Sequence, residues 1–100
     1  MLPQHFARRE PCTVPLGESF EIARLSLAVG IGAMIGCMDE SRIGIAAALH
    51  FALATPGVER ADLDGHLDIA DDVARGGVRI EGGDILPLLD ADGLGVVVSL

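Results

Sequence analysis

Between Ile31 and Cys37 the chain is apolar almost without interruption, bounded by Gly30 before it and, after Met38, by the charged pair Asp39-Glu40. A short segment with no polar alternation reads as a strand covered on both faces, the habit of parallel sheets flanked by helices. After it, Asp39 or Ser41 can cap a helix running to about Ala54, in which Ala46, Ala47, Ala48, Ala52 and Ala54 permit close approach to a sheet. Thr55-Pro56-Gly57 ends that helix, and Val58 to Leu63 supplies a second strand. Strand, helix and strand joined by connections this short form a βαβ unit with a right-handed crossover. The fold class is therefore α/β.

The flanks differ in kind. Glu18 to Ala28 predicts a helix with an apolar stripe of Phe20, Ala23 and Leu27, joined by Ile22 and Leu25, and with Gly30 as its stop. Glu18 and Glu21 early and Arg24 later suit the helix dipole. Residues 1–17 hold Pro3, Pro11, Pro15 and Gly17 around Arg8-Arg9-Glu10 without periodicity, and are expected to be an irregular leader. Downstream, Val78–Glu81 and Asp84–Pro87 flank Gly82-Gly83, the pattern of a β-hairpin, and Asp90-Ala91-Asp92-Gly93 turns into a final run, Val96–Val98.

One hundred residues allow one domain at most, and apolar residues make up half of them while only three are aromatic. Seven basic against fifteen acidic residues, a net charge of −8, oppose nucleic acid and anionic membrane surfaces as partners. Cys12 and Cys37 show neither a metal-knuckle nor a disulfide spacing, so a reducing, cytoplasmic setting is expected. Glu10, Glu18 and Glu21 stand where an export signal would stay basic or apolar. The apolar runs Leu25–Met38 and Ile43–Ala54 fall short of the roughly 20 residues that span a bilayer.

Asp62-Leu63-Asp64 is the most telling triplet for function. Side chains alternate faces along a strand, so both carboxylates point one way and Leu63 the other. Their partner is a cation, an ammonium group or water, and in parallel α/β architectures the C-terminal strand ends are where ligands bind. Glu40 follows the first strand and faces the same rim or complements the following helix N-terminus. Other motifs fail: Gly30-x-Gly32-x-x-x-Gly36 misses the dinucleotide-binding spacing and lies inside the strand, Asp62-x-Asp64-Gly65 is too short for a calcium loop, and no serine sits in a nucleophile elbow. His50 reads as a packed or surface residue, while His66 adjoins the rim without a second ligand at metal spacing.

Three stretches together resemble a known family: Ile35-Gly36-Cys37-Met38-Asp39-Glu40-Ser41, Gly44-Ile45-Ala46-Ala47-Ala48-Leu49-His50 and Ala61-Asp62-Leu63-Asp64-Gly65-His66-Leu67. They are similar to the C-terminal end of dipeptide epimerases of the L-Ala-D/L-Glu type, in the muconate-lactonising and mandelate racemase branch of the enolase superfamily. The likeness covers Glu18 to Asp72 and, more loosely, continues to Val98. It implies a C-terminal fragment of a (β/α)8 barrel, with Ile31–Cys37 as its seventh strand, Val58–Leu63 as its eighth, and the hairpin tail returning toward the family's capping domain. The division is then a leader, 1–17, and a barrel segment, 18–100. In such epimerases an aspartate pair on the last strand binds the ammonium group of the dipeptide, which matches Asp62 and Asp64. Cys37, Met38 and Glu40 match positions lining the same pocket.

The reaction this resemblance implies is proton abstraction beside a carboxylate, with a lysine on either face of the carbon and Mg²⁺ holding the enediolate. The family's lysines belong to its second and sixth strands and its metal acids to the third, fourth and fifth. This chain has no lysine in a plausible position and no such strands, and around Cys12–Gly17 the leader replaces the sixth-strand lysine and its Gly-Gly. A barrel takes about 250 residues. The expectation is a truncated, epimerase-like isomerase fragment, inactive alone, whose Mg²⁺ ligands lie outside the chain. Alternatives are a split-enzyme subunit completed by another chain and a non-catalytic α/β interaction module. The expected partners are a dipeptide ammonium group, a missing barrel half or further copies of the chain.

Overall fold

In the computed structural model, residues 6–9, 16–88 and 90–99 are described. Three parallel strands, β1 (Phe6–Arg9), β2 (Gly32–Ile35) and β3 (Val58–Ala61), lie side by side in that order. Helix α1 (Leu16–Ala28) connects the first two strands and α2 (Arg42–Ala54) the second two. After β3 come a 3₁₀ turn (Gly65–Asp68) and four short strands: β4 (Ala74–Gly76), β5 (Val78–Glu81), β6 (Asp84–Pro87) and β7 (Val96–Val98). This is two βαβ units sharing β2, a segment of a (β/α)8 barrel. Among the described residues the strands do not close into a barrel.

Strand β1 corrects the expectation of a wholly irregular leader, for Arg8 pairs with Met34 and Arg9 with Ile35 in parallel register. The physical reason is non-local. One edge of β2 is taken by β3, and the backbone N–H and C=O groups on the other edge need partners. Four residues carry too little periodicity to announce that they will supply them.

Helix α1 forms where expected and stops where expected. The Ile31 N–H bonds the Ser26 carbonyl at 2.8 Å and the Gly30 N–H bonds the Leu27 carbonyl at 3.2 Å, a Schellman close with Gly30 at φ 76°. Its buried face, however, is Ser19, Ala23 and Ser26, while Phe20, Leu25 and Leu27 are 45–54% exposed. Of the expected stripe, Ala23 is buried and Ile22 half-buried, while Phe20, Leu25 and Leu27 are not part of the buried face. Small residues let the helix backbone come close to the sheet, and the larger apolar side chains are displaced onto its flanks, where Phe20 meets Phe51 at 4.9 Å between ring centroids.

Helix α2 carries the core: Ile45, Ala46, Ala48, Leu49 and Phe51 are buried on it, with Ile45 at 0% exposure. Ile35 from β2, Leu63 and Val78 close around them. Of the two candidate caps, Ser41 is the one used, its hydroxyl accepting from the Ile43 N–H at 3.2 Å.

An irregularity in the β2–β3 ladder sets the phase of the functional residues. Ala33 pairs with Val58, but Met34 pairs with Arg60, so Glu59 is the extra residue of a bulge. Period-two alternation alone would put Val58 on the same face as Asp62 and Asp64. With one residue inserted, Val58 and Leu63 both pack against the core and the aspartates face away from it. The hairpin forms as expected, β5 antiparallel to β6, with Gly82 at φ 57° and Gly83 at φ 88°. Positive φ at both central residues is what a type I′ turn demands. Strand β7 pairs antiparallel with β4.

Candidate functional site

Parallel strands end on the same side of a sheet, so the chain leaving β2 and the chain leaving β3 emerge together. The first loop carries Gly36 to Ser41; the second begins at Asp62. Although β3 was expected to reach Leu63, its ladder assignment stops at Ala61, with the Asp62 N–H still bonded to the Ile35 carbonyl at 3.0 Å. The alternation persists past the strand end: Leu63 is 4% exposed in the core, and Asp62 and Asp64 are exposed on the other side.

The two loops touch closely. Gly65 is buried against the Met38 carbonyl, and a Cβ there would overlap that oxygen and come within 3.2 Å of Cys37 Sγ. Only glycine leaves room for this approach. Cys37 Sγ lies 4.0 Å from Asp64 Oδ1. Burial pushes the Cys37 thiol above its ordinary range, the negative charges of Asp64 and Asp62 act in the same direction, and the backbone N–H groups of Gly65 and Asp64 pull the other way. Cys37, Asp62 and Asp64 thus share one rim. Met38 stands beside them, 53% exposed. The Glu40 carboxylate folds over the first turn of α2, so that a Cβ at Gly44 would lie 3.1 Å from Glu40 Oε2. That is the helix-terminal placement weighed in the sequence, half-buried on the helix side of the loop.

Behind the rim lies a polar cluster that the sequence did not single out. Asp72 Oδ1 accepts from the Ser41 hydroxyl at 2.8 Å and the Ala74 N–H at 3.0 Å, and Oδ2 accepts from the Arg42 N–H at 2.9 Å. Burial disfavours the Asp72 charge, but the Arg42 and Ala74 N–H groups, the Ser41 hydroxyl and the Arg42 cation outweigh it and hold the carboxyl below its ordinary range. The Arg42 guanidinium donates to the carbonyls of Gly76 at 3.3 Å and Val78 at 3.2 Å. His66 is 5% exposed, and its Nδ1 has no hydrogen-bond partner. In sequence Asp72 is one acid in the pair Asp71-Asp72, and nothing local distinguishes it.

What this arrangement can do is hold a positive charge. Two exposed carboxylates beside a neutral thiol suit an ammonium or guanidinium group. Two carboxylates by themselves leave most of an octahedral Mg²⁺ shell unfilled, and among the described residues no three His, Cys, Asp or Glu side chains are placed to hold a metal ion. The helices among those residues are also too short or too polar to cross a membrane.

Comparison with known proteins agrees with the fold. Residues 15–99 match the family model described as enolase C-terminal domain-like. The chain is 51% identical over 82 residues to the L-Lys-D/L-Arg epimerase of Methylococcus capsulatus, covering 82% of this chain and 23% of that protein. The crystal structure of the dipeptide epimerase from Methylococcus capsulatus, complexed with Mg ion, superposes with a TM-score of 0.86 at 45% identity, covering 93% of this chain and 27% of that one. The substrate-liganded L-Ala-D/L-Glu epimerase of Bacillus subtilis superposes at 0.84 with 28% identity, covering 95% of this chain and 26% of that one. Mg²⁺ therefore accompanies the intact family, and the chain spans about a quarter of the length of these relatives. Family model, relatives and superposition converge, and the chain belongs to the enolase C-terminal domain-like family, as a barrel segment of its dipeptide-epimerase, mandelate racemase and muconate-lactonising branch.

Proposed function

We propose that Asp62 and Asp64, with Cys37 and Met38 beside them, bind the ammonium group of a dipeptide, while Glu40 stays on the helix side of the loop, and that this chain carries that binding rim without the machinery that epimerises. The observation that carries the reading is the pair of exposed carboxylates on either side of buried Leu63, with Asp64 Oδ1 4.0 Å from Cys37 Sγ. A relative at 51% identity is named an L-Lys-D/L-Arg epimerase, and a dipeptide epimerase of the same organism, 45% identical, was crystallised with L-Arg-D-Lys, which supports a cationic dipeptide as the substrate class. Chemistry at the carbon is another matter. All seven basic residues of the chain are arginines, and a guanidinium does not give up its proton to serve as a base. The cysteine usage supports a reducing, cytoplasmic setting.

The test is calorimetric titration of the 100-residue chain with the dipeptide L-Lys-L-Arg and with its N-acetyl form, which lacks the α-ammonium group. The free dipeptide is expected to bind and the acetylated one to bind at least about tenfold more weakly, the worth of a lost charge-assisted hydrogen bond. Asp62→Asn or Asp64→Asn should each weaken binding by a similar factor. Equal binding of both peptides, or wild-type affinity in both variants, excludes the ammonium site. In D₂O with Mg²⁺ the chain alone should not exchange the α-hydrogen.

A second reading, a split enzyme completed by another chain, draws support from the exposed large apolar side chains along α1. Mixing with a lysine-bearing barrel half should then restore exchange, and no exchange at any ratio ends it.

A further inference from the structure

The rim is made of two loops, 36–41 after β2 and 62–73 after β3, that approach from different strands. They are fastened to each other at two places. One is the seat of Gly65 on the Met38 carbonyl, next to the rim. The other is Asp72, where donors from Ser41, Arg42 and Ala74 converge on one carboxylate at 2.8–3.0 Å. Ser41 and Arg42 end the first loop and begin α2, whereas Asp72 ends the second loop, so this carboxylate closes the far side of the pair. Its charge also stands at the positive end of the α2 dipole, where hydrogen bonds to an ionised acceptor are strongest. Asp72 lies eight residues beyond Asp64, and binding an ammonium group at the rim makes no demand on it.

We propose that Asp72 is the positioning residue of the rim, holding the loop that carries Cys37 and Met38 at a set distance from the loop that carries Asp62 and Asp64. The proposal deepens the reading of the rim as an ammonium site, but its test reads rim geometry with no ligand present. The two can therefore fail separately.

Cys37 is the gauge, because closure of the two loops buries its thiol, which raises its pKa more than the N–H groups of Gly65 and Asp64 lower it, and the charges of Asp64 and Asp62 add to the rise. In a Cys12→Ser chain Cys37 is the only thiol, and ultraviolet absorbance of the thiolate follows its titration. With Asp72 intact the midpoint should lie above the ordinary thiol range. Asp72→Ala should lower it by about 0.5 in pH, as the loops part and the thiol regains some of its hydration. Asp72→Glu should restore most of the difference. Phe51→Leu, a core change at the other end of α2 where the ring packs on Phe20, serves as the control: it should lower Tm while leaving the midpoint in place. An unmoved midpoint in Asp72→Ala, or an equal shift in the control, overturns the proposal. If Asp72→Ala does not fold, Asp72→Asn carries the same test, since it keeps the side-chain volume and one acceptor but loses the charge; a smaller downward shift supports the proposal and no shift overturns it.

Discussion

His66 is buried with an unpartnered ring nitrogen, and its surroundings keep it neutral. Burial is the first cause of its lowered pKa, the Arg42 cation acts the same way, and Asp72 and Asp64 oppose them. The unfolded chain takes up its proton near the ordinary imidazole value of about 6.5, whereas the folded chain does so only at lower pH. Stability from this group is therefore complete above about pH 6.5 and is lost as pH falls from there through the lower folded value. Urea unfolding midpoints should decline between about pH 7 and pH 5.5 in the wild type and be flatter in His66→Gln. A wild-type profile that stays level over that range contradicts the assignment. At this scale the sequence was legible where one residue's neighbours decided the outcome: Asp62 and Asp64 opposite Leu63 follow from alternation alone. Asp72 was not legible, because its partners Ser41 and Arg42 lie 31 and 30 residues away.

At the scale of elements, the start of α2 holds the most. The Ser41 hydroxyl makes two bonds at once, accepting from the Ile43 N–H and donating its own proton to Asp72. Replacing a Ser N-cap with Ala costs about 1 kcal/mol, and leaving Asp72 short of a donor adds to it. Ser41→Ala should thus destabilise the chain by about 1–2 kcal/mol in chemical denaturation. Ser41→Thr should cost a few tenths, since its hydroxyl can make both bonds. A loss equal to that of Ser41→Ala would mean that the hydroxyl is not what matters. Caps, stops and the Gly82-Gly83 hairpin were readable because each is satisfied within a few residues of itself. The buried face of α1 was not: hydrophobicity favours Phe20, Leu25 and Leu27, yet the helix buries Ser19, Ala23 and Ser26, with Ile22 half-buried beside them.

For the whole molecule, those displaced side chains have a consequence. Phe20 lies on the flank that faces α2, and Leu25 and Val29, 54% and 68% exposed, lie on the far flank, where a barrel would place the preceding βα unit. Among the described residues this apolar flank is uncovered and β1 has a partner on one edge only, an arrangement that favours association. Light scattering should show the wild-type chain self-associating, and Leu25→Glu with Val29→Lys should reduce that without lowering Tm, as both side chains are already exposed. Unchanged association would place the contact elsewhere. By itself the sequence determined a parallel α/β segment, the ends of both helices, the hairpin, and two carboxylates opposite a core leucine, because period, cap and turn are each settled over a few bonds. Only the tertiary structure decided that β1 pairs with β2, which face α1 buries, that a bulge at Glu59 sets the phase of β3, and that Asp72 ties the rim together. Those outcomes depend on which distant backbone edges, surfaces and charges come within bonding distance, and no local pattern contains that free energy.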